Sequence, residues 1–210
     1  MSGPGRVVLL ATRSIGKLWE LRPLFDAAGI GVIDLDEAGI LEDAEAEESL
    51  ERFETYEENA LAKARHFFAR AGGRYPTVAD DSGLEVAALG GRPGVRTKRW
   101  SGRSDLAGRA LDDANNAKLL AELAGIEERG ARYVCVAAIV DARGERVYRG
   151  ESTGRILHAP RGDGGFGYDP LFASDELGVT FAEVDGVTKE RVSHRGRAFA
   201  QLMRALGGTG

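Results

Sequence analysis

The segment Tyr133–Val140 (YVCVAAIV) constrains this chain more than any other, because its residues offer no charged side chain to water. A strand alternates its side chains between two faces, so such a run must be covered on both and belongs at the centre of a sheet. Val7–Ala11 (VVLLA) is a shorter run of the same kind. A helical pattern follows over Lys17–Ala28, with Leu18, Leu21, Leu24, Phe25 and Ala28 on one face and Gly29 as its stop, and then a second short strand, Gly31–Asp34. Strand, helix and strand at this spacing form a βαβ unit, which implies parallel pairing.

The rest of the pattern extends this plan. Glu37–Glu54 is acidic and weakly periodic, a solvated loop or short helix. Thr55 and Glu58 have capping-box spacing and open a helix to Ala71 that buries Leu61, Ala64, Phe68 and Ala71, with Gly72-Gly73 as the stop. A strand over Thr77–Asp80 delivers Asp80-Asp81-Ser82-Gly83 at its end, and Leu84–Leu89 continues beyond. Gly90–Arg103 reads as a long surface loop and Leu106–Leu123 as an amphipathic helix. Arg132–Asp141 and Glu145–Gly154 form a hairpin, Gly162–Pro170 a glycine-rich loop, and Lys189–Leu206 a final helix. Alternating elements predict an α/β fold with a mixed, largely central β-sheet flanked by helices, and residues 1–210 read as one domain.

Charge and composition narrow the partners. The net charge is −5 with no basic stripe, so nucleic acid is not an expected partner and a small molecule is. No apolar run approaches the roughly 18 residues of a membrane span, and Val7–Ala11, with Arg6 its one charged flank, is too short for a signal-peptide core. One cysteine, Cys135, excludes an internal disulfide and a cysteine-based zinc cluster, which points to a reducing compartment, the cytoplasm. Five of the 28 basic residues are lysines (Lys17, Lys63, Lys98, Lys118, Lys189), so each lysine marks a place where arginine is not used.

Four segments could carry chemistry. Thr12-Arg13-Ser14-Ile15-Gly16-Lys17 sits between a buried strand and a helix, where free amides and the helix dipole attract phosphate. It is not a Walker A loop, since Ala11 stands where that motif needs glycine and Leu18 follows the lysine. Asp80-Asp81-Ser82-Gly83 at a strand end is either a turn or a pair of carboxylates for Mg²⁺. The GxGxxG of Gly162–Gly167 is no dinucleotide fingerprint, because Pro170 disfavours helix at Asp169. It leaves a flexible loop in which Phe166 either stacks on a base or plugs the core. Lys189 to Arg197 gathers cations and His194 at a helix start, against the dipole, either around an anion or as a solvated basic face.

Together these segments resemble the inosine/xanthosine triphosphate pyrophosphatase family, the XTP/dITP diphosphatases. The likeness runs in order through Leu10-Ala11-Thr12 to Gly16-Lys17, Glu58-Asn59-Ala60 with Lys63-Ala64, Asp80-Asp81-Ser82-Gly83-Leu84, Gly164-Gly165-Phe166-Gly167-Tyr168-Asp169-Pro170 and Ser193-His194-Arg195-Gly196. The resemblance implies an elongated, two-lobed single domain with the active site in its cleft. It also implies a homodimer and Mg²⁺-dependent cleavage of nonstandard purine nucleoside triphosphates (ITP, dITP, XTP) to monophosphate and pyrophosphate. Asp81 is then the catalytic acid/base or metal residue. Thr12, Arg13, Ser14, Ile15, Gly16, Lys17, Lys63, Ser82, Phe166, Gly167, Tyr168, Asp169, Lys189, His194 and Arg195 fall on substrate positions. The upstream metal glutamate is Glu47, Glu48 or Glu51, and spacing to Glu58-Asn59 favours Glu51. The chain departs from the family at Ser14, where asparagine is usual, and at Arg13, where a small residue is. A Maf-like nucleotide pyrophosphatase shares the Leu10–Ser14 opening, and a nucleotide-binding module without turnover is the other alternative.

Overall fold

The computed structural model describes residues 7–207, so Arg6 lies outside the described residues. Strands β1 (Val7–Leu10), β2 (Gly31–Asp34), β3 (Thr77–Val86), β4 (Pro93–Gly94), β5 (Gly130–Asp141), β6 (Gly144–Ile156) and β7 (Phe172–Ser174) form one mixed sheet. Its order is β2-β1-β3-β5-β6-β7, with β4 paired to β3. The helices are α1 (Ile15–Ala27), α2 (Ala44–Glu48), α3 (Tyr56–Arg70), α4 (Gly108–Glu122), α5 (Gly186–Val192) and α6 (His194–Gly207). The chain divides into two compact units. The first holds the described residues up to Asp81, Cys135–Arg149 and the described residues from Ala198; the second holds Ser82–Val134 and Gly150–Arg197. No helix among the described residues is long and apolar enough to cross a membrane.

In the first unit the βαβ expectation holds: β1 pairs β2 in parallel from Val7↔Gly31 to Leu10↔Asp34, and pairs β3 in parallel at Leu9↔Thr77 and Leu10↔Val78. Ser14 caps α1 by accepting the Lys17 N–H, so the helix starts two residues before Lys17. Its Leu21, Leu24 and Phe25 pack with Val8, Leu10, Val78, Cys135 and the Phe199 and Leu202 of α6, while Ala28 is exposed beside the left-handed Gly29 that ends the helix. Thr55 caps α3 by accepting the Glu58 N–H, as its spacing predicts. The buried face of α3 is turned by about one residue from the expected one, burying Ala60, Ala64 and Phe67 rather than Leu61 and Phe68. The apolar pattern misleads there because Asn59 and Lys63 also lie on the inward face, each paired with an acidic side chain.

The Asp80-Asp81-Ser82-Gly83 stretch is neither a turn nor a strand end: β3 runs straight through it. Every residue from Tyr133 to Asp141 is buried, in keeping with the central place of β5. The second unit packs Leu84, Val86, Leu119, Leu123, Tyr133, Phe172 and Phe181 into its core. Gly90–Arg103 is less open than expected. It contains β4, antiparallel to β3, and Trp100, 9% exposed, with Arg92 at 5.4 Å and Lys118 at 4.4 Å from its ring centre. The single C-terminal helix expected over Lys189–Leu206 is two helices. Ser193 is extended between them, and its Oγ accepts the Gly196 N–H at 3.0 Å to cap α6. A side chain at Gly196 would press within 1.8 Å of the Glu190 carbonyl oxygen, so glycine is what lets the second helix start there.

Candidate active site

The first group of polar residues lies in the first unit, where β3 presents two successive aspartates. Neighbours along a strand point to opposite faces. Asp80, 3% exposed, accepts from the Lys17 Nζ at 2.9 Å, with the Cys135 Sγ 3.8 Å from its other oxygen. Asp81, 7% exposed, accepts from the Asn59 Nδ2 at 3.0 Å and lies 3.4 Å from the Lys63 Nζ. That ammonium donates to Glu51 at 2.7 Å, so Lys63 joins the two carboxylates.

Electrostatics mark Asp81 as the odd member. Burial, with Glu51 adding to it, pushes its carboxyl above the ordinary aspartate range despite Lys63, Lys17 and Asn59. Burial works against the Lys63 ammonium too, but Asp81, Glu51 and Asp80 outweigh it and hold Lys63 well above the ordinary lysine value. A buried network of this kind is a poor source of stability, since apolar side chains of equal volume do as well or better. Its chemistry is oxygen donors beside a cation. Among the described residues no three acidic, histidine or cysteine side chains cluster as metal ligands. Two carboxylates, with phosphate oxygens and water completing the shell, suit Mg²⁺, so Asp81 and Glu51 fit the expected ion.

The entry loop to α1 is committed to local bonds. Thr12 Oγ1 accepts the Ser14 N–H at 3.1 Å, Ser14 caps the helix, and Ile15 is 71% exposed. Gly16 and Lys17 lie in the first helical turn. Arg13, expected at a phosphate, has its guanidinium bonded to Glu47 twice, to Asp36 and to the Ile40 carbonyl. The acidic segment after β2 competes for it with carboxylates that are part of the fold.

The second group lies in the second unit. Asp169 Oδ2 accepts the Phe166 N–H at 2.9 Å and the Lys189 Nζ at 2.5 Å, which ties the glycine-rich loop to α5. Gly165 has φ +69°, and a side chain there would come within 2.2 Å of the same oxygen, so the loop closes on Asp169 because that position is glycine. Lys189 and Arg195 lie 5.0 and 5.6 Å from the Phe166 ring centre. Arg195, 4% exposed, also donates to Ser82 Oγ at 3.4 Å. His194 stacks on Tyr133 with centroids 4.5 Å apart. The plug-or-stack question divides by residue: Tyr168 is buried with its hydroxyl donating to the Thr97 carbonyl, whereas Phe166 is only half-buried.

Sequence reasoning missed three supports. Asn59 was read only as part of a helix signature, yet it is wholly buried and touches Asp81. Asp112 and Asn116, one helical turn apart on α4, grip Gly167 from both sides of its peptide. Asp112 accepts the Gly167 N–H at 2.9 Å, and Asn116 donates to the Gly167 carbonyl at 3.0 Å. Their (i, i+4) spacing was visible, but no local pattern says which loop such a pair will meet.

A fold with this mixed sheet and two such groups defines a nucleotide-handling α/β protein, and comparison sharpens the class. The model of the Ham1 family matches residues 8–205, and the chain belongs to that family. A dITP/XTP pyrophosphatase of Mycolicibacterium paratuberculosis is 50% identical over 205 residues, covering 95% of each chain. One from Frankia alni is 48% identical over 202 residues, covering 95% of this chain and 96% of its own. The Ham1 protein of Staphylococcus aureus superposes with a TM-score of 0.81 at 33% identity, covering 98% of this chain and all of the other. The resemblance read from the five motifs is thereby borne out.

Proposed function

We propose that this protein is a nucleoside-triphosphate pyrophosphatase that hydrolyses nonstandard purine triphosphates (ITP, dITP, XTP) to monophosphate and pyrophosphate. The observation that carries the reading is Asp81, a buried carboxylate that accepts from Asn59 and stands 3.4 Å from Lys63, which also holds Glu51. Curated relatives named dITP/XTP pyrophosphatase, alike along nearly the whole chain, support it.

Asp81 and Glu51 would hold Mg²⁺, which when bound neutralises phosphate charge. Lys17 and Lys63 supply fixed positive charge to the phosphates, and the Ile15 and Gly16 amides in the first turn of α1 add donors. Asp81, with its raised pKa, accepts a proton from the attacking water more readily than an ordinary aspartate. Phe166 offers a ring to the base, and the loop Gly167–Asp169 with Lys189 fixes that ring's position. Arg195 and His194 act as donors toward O6 of hypoxanthine or xanthine. Adenine's amino group would leave such a donor unpaired, a penalty that rejects strongly. The setting is cytoplasmic and the assembly a homodimer, as the single cysteine and the resemblance respectively imply.

Pyrophosphate release from ITP, XTP, GTP, ATP and dTTP with Mg²⁺ tests the proposal. Faster release from ITP and XTP than from the rest is the expected result. Preference for dTTP would replace it with the Maf-like reading, and binding without release would make the chain a nucleotide sensor.

A further inference from the structure

The acidic segment that carries Glu51 has almost nothing apolar holding it. Neither α2 nor the short 3-10 turn Ser49–Glu51 that follows contains a buried residue. A segment without buried apolar contacts sits at the low-stability end of a fold, so its position rests on polar bonds. One such bond is Lys63 to Glu51; the other centre is Glu47, one helical turn earlier. Glu47 accepts from Arg13 through both oxygens, Nε to Oε2 at 3.2 Å and Nη2 to Oε1 at 2.9 Å, a bidentate pairing that fixes direction as well as distance. Arg70, from the last turn of α3, lies 3.7 Å from the same carboxylate, and the Asp43 N–H donates to it at 3.2 Å.

Arg13 has little left for a ligand. A guanidinium has five N–H donors. Two of Arg13's go to Glu47, one to the Ile40 carbonyl at 3.0 Å and one to Asp36 at 3.0 Å. We infer that Arg13 is a positioning residue: it clasps Glu47, and through that segment sets where Glu51 stands, rather than binding phosphate itself. The inference deepens the proposed function, because Glu51 matters to catalysis only if that reading holds.

Two variants test it, Arg13→Ala and Glu47→Gln, each with hydrogen exchange on the nucleotide-free protein and with kinetics on ITP. A clasp predicts that both variants speed exchange over residues 42–52. It also predicts that both raise the Mg²⁺ concentration for half-maximal activity by about tenfold, the scale on which partners that orient metal ligands act. At saturating Mg²⁺ the KM for ITP should stay close to that of the parent. The effects of the two should fall short of adding in the double variant, since the Arg13–Glu47 pairing is lost in both. Arg13→Lys, which keeps the charge but not the fork, should recover only part of the loss. A phosphate ligand predicts the reverse: Arg13→Ala raises KM at saturating Mg²⁺, while Glu47→Gln changes neither exchange nor metal dependence. Exchange needs no turnover, so unchanged protection over 42–52 in both variants overturns the clasp even in an active enzyme. A protein inactive on every triphosphate, yet with faster exchange in both variants, keeps the clasp and removes the pyrophosphatase reading instead.

Discussion

In the first unit three carboxylates (Asp80, Asp81, Glu51) face two ammonium groups (Lys17, Lys63), whereas in the second two carboxylates, Asp112 and Asp169, stand with Lys189 and Arg195 about the loop that carries an aromatic ring. The first group is short of positive charge and built of side chains that meet one another directly. The second balances its charges, and its key loop is held through its backbone by the side chains of Asp112, Asn116 and Asp169. Under the proposed function a divalent cation would complete the acidic group, and a base would be read by a ring and by donors at fixed positions. The difference teaches that, under that proposal, charge would carry the chemistry in one unit and shape the recognition in the other.

Asp81→Asn attacks the first plan most directly. Turnover on ITP should fall by at least about 100-fold, a usual scale for losing an acid–base group. The melting temperature should fall, because the buried Lys63 ammonium loses its largest compensating charge, so turnover is read well below the variant's melting point. Near-normal turnover would remove Asp81 from the chemistry. Arg195→Ala probes the second plan and should have a smaller effect. Selectivity for ITP over ATP, measured as the ratio of kcat/KM values, should erode by about tenfold, the scale of one hydrogen bond to a charged group. An unchanged ratio would break the assignment of base reading to this unit.

The two plans were also unequally legible from residue order. The central strand, the βαβ unit and the caps at Thr55 and Gly29 follow local rules of alternation, period and left-handed glycine, and the structure keeps them. The motif residues of the first group were legible because lysine is rare in this chain and Asp80-Asp81 interrupts an apolar strand. What local pattern could not show was pairing across the chain. Asn59 and Lys63 turned the inward face of α3 because Asp81, far along the sequence, satisfies them. The partners of Arg13, Asp36 and Glu47, lie in a segment with no period to place them. Ser193 split the last helix by capping the second half, which a run of helix-compatible residues conceals.

The smallest expected effect falls on the brace behind the aromatic loop. Burial pushes the Asp112 carboxyl above the ordinary aspartate range; the Gly167 N–H and Lys98 oppose that shift, and the neighbouring Asp169 and Asp113 carboxylates add to it. A carboxyl raised in the folded state binds its proton more tightly there than in the unfolded chain. Its contribution to stability is therefore full below the ordinary aspartate pKa and is lost as pH rises through the raised value. Asp112→Asn keeps an oxygen to accept the Gly167 N–H and removes the charge, so the loss should vanish. Melting curves should show the variant gaining on the parent protein as pH climbs out of the acid range, by a few degrees at most for a domain of this size. The KM for ITP should rise less than in Asp112→Ala, which loses the bond that holds Gly167 in place. A stability difference that stays constant across pH would mean that Asp112 is not strained by burial. Equal KM values in the Asn and Ala variants would mean that the loop holds its ring without the brace, and the contrast between a unit run by charge and one run by shape would lose its second half.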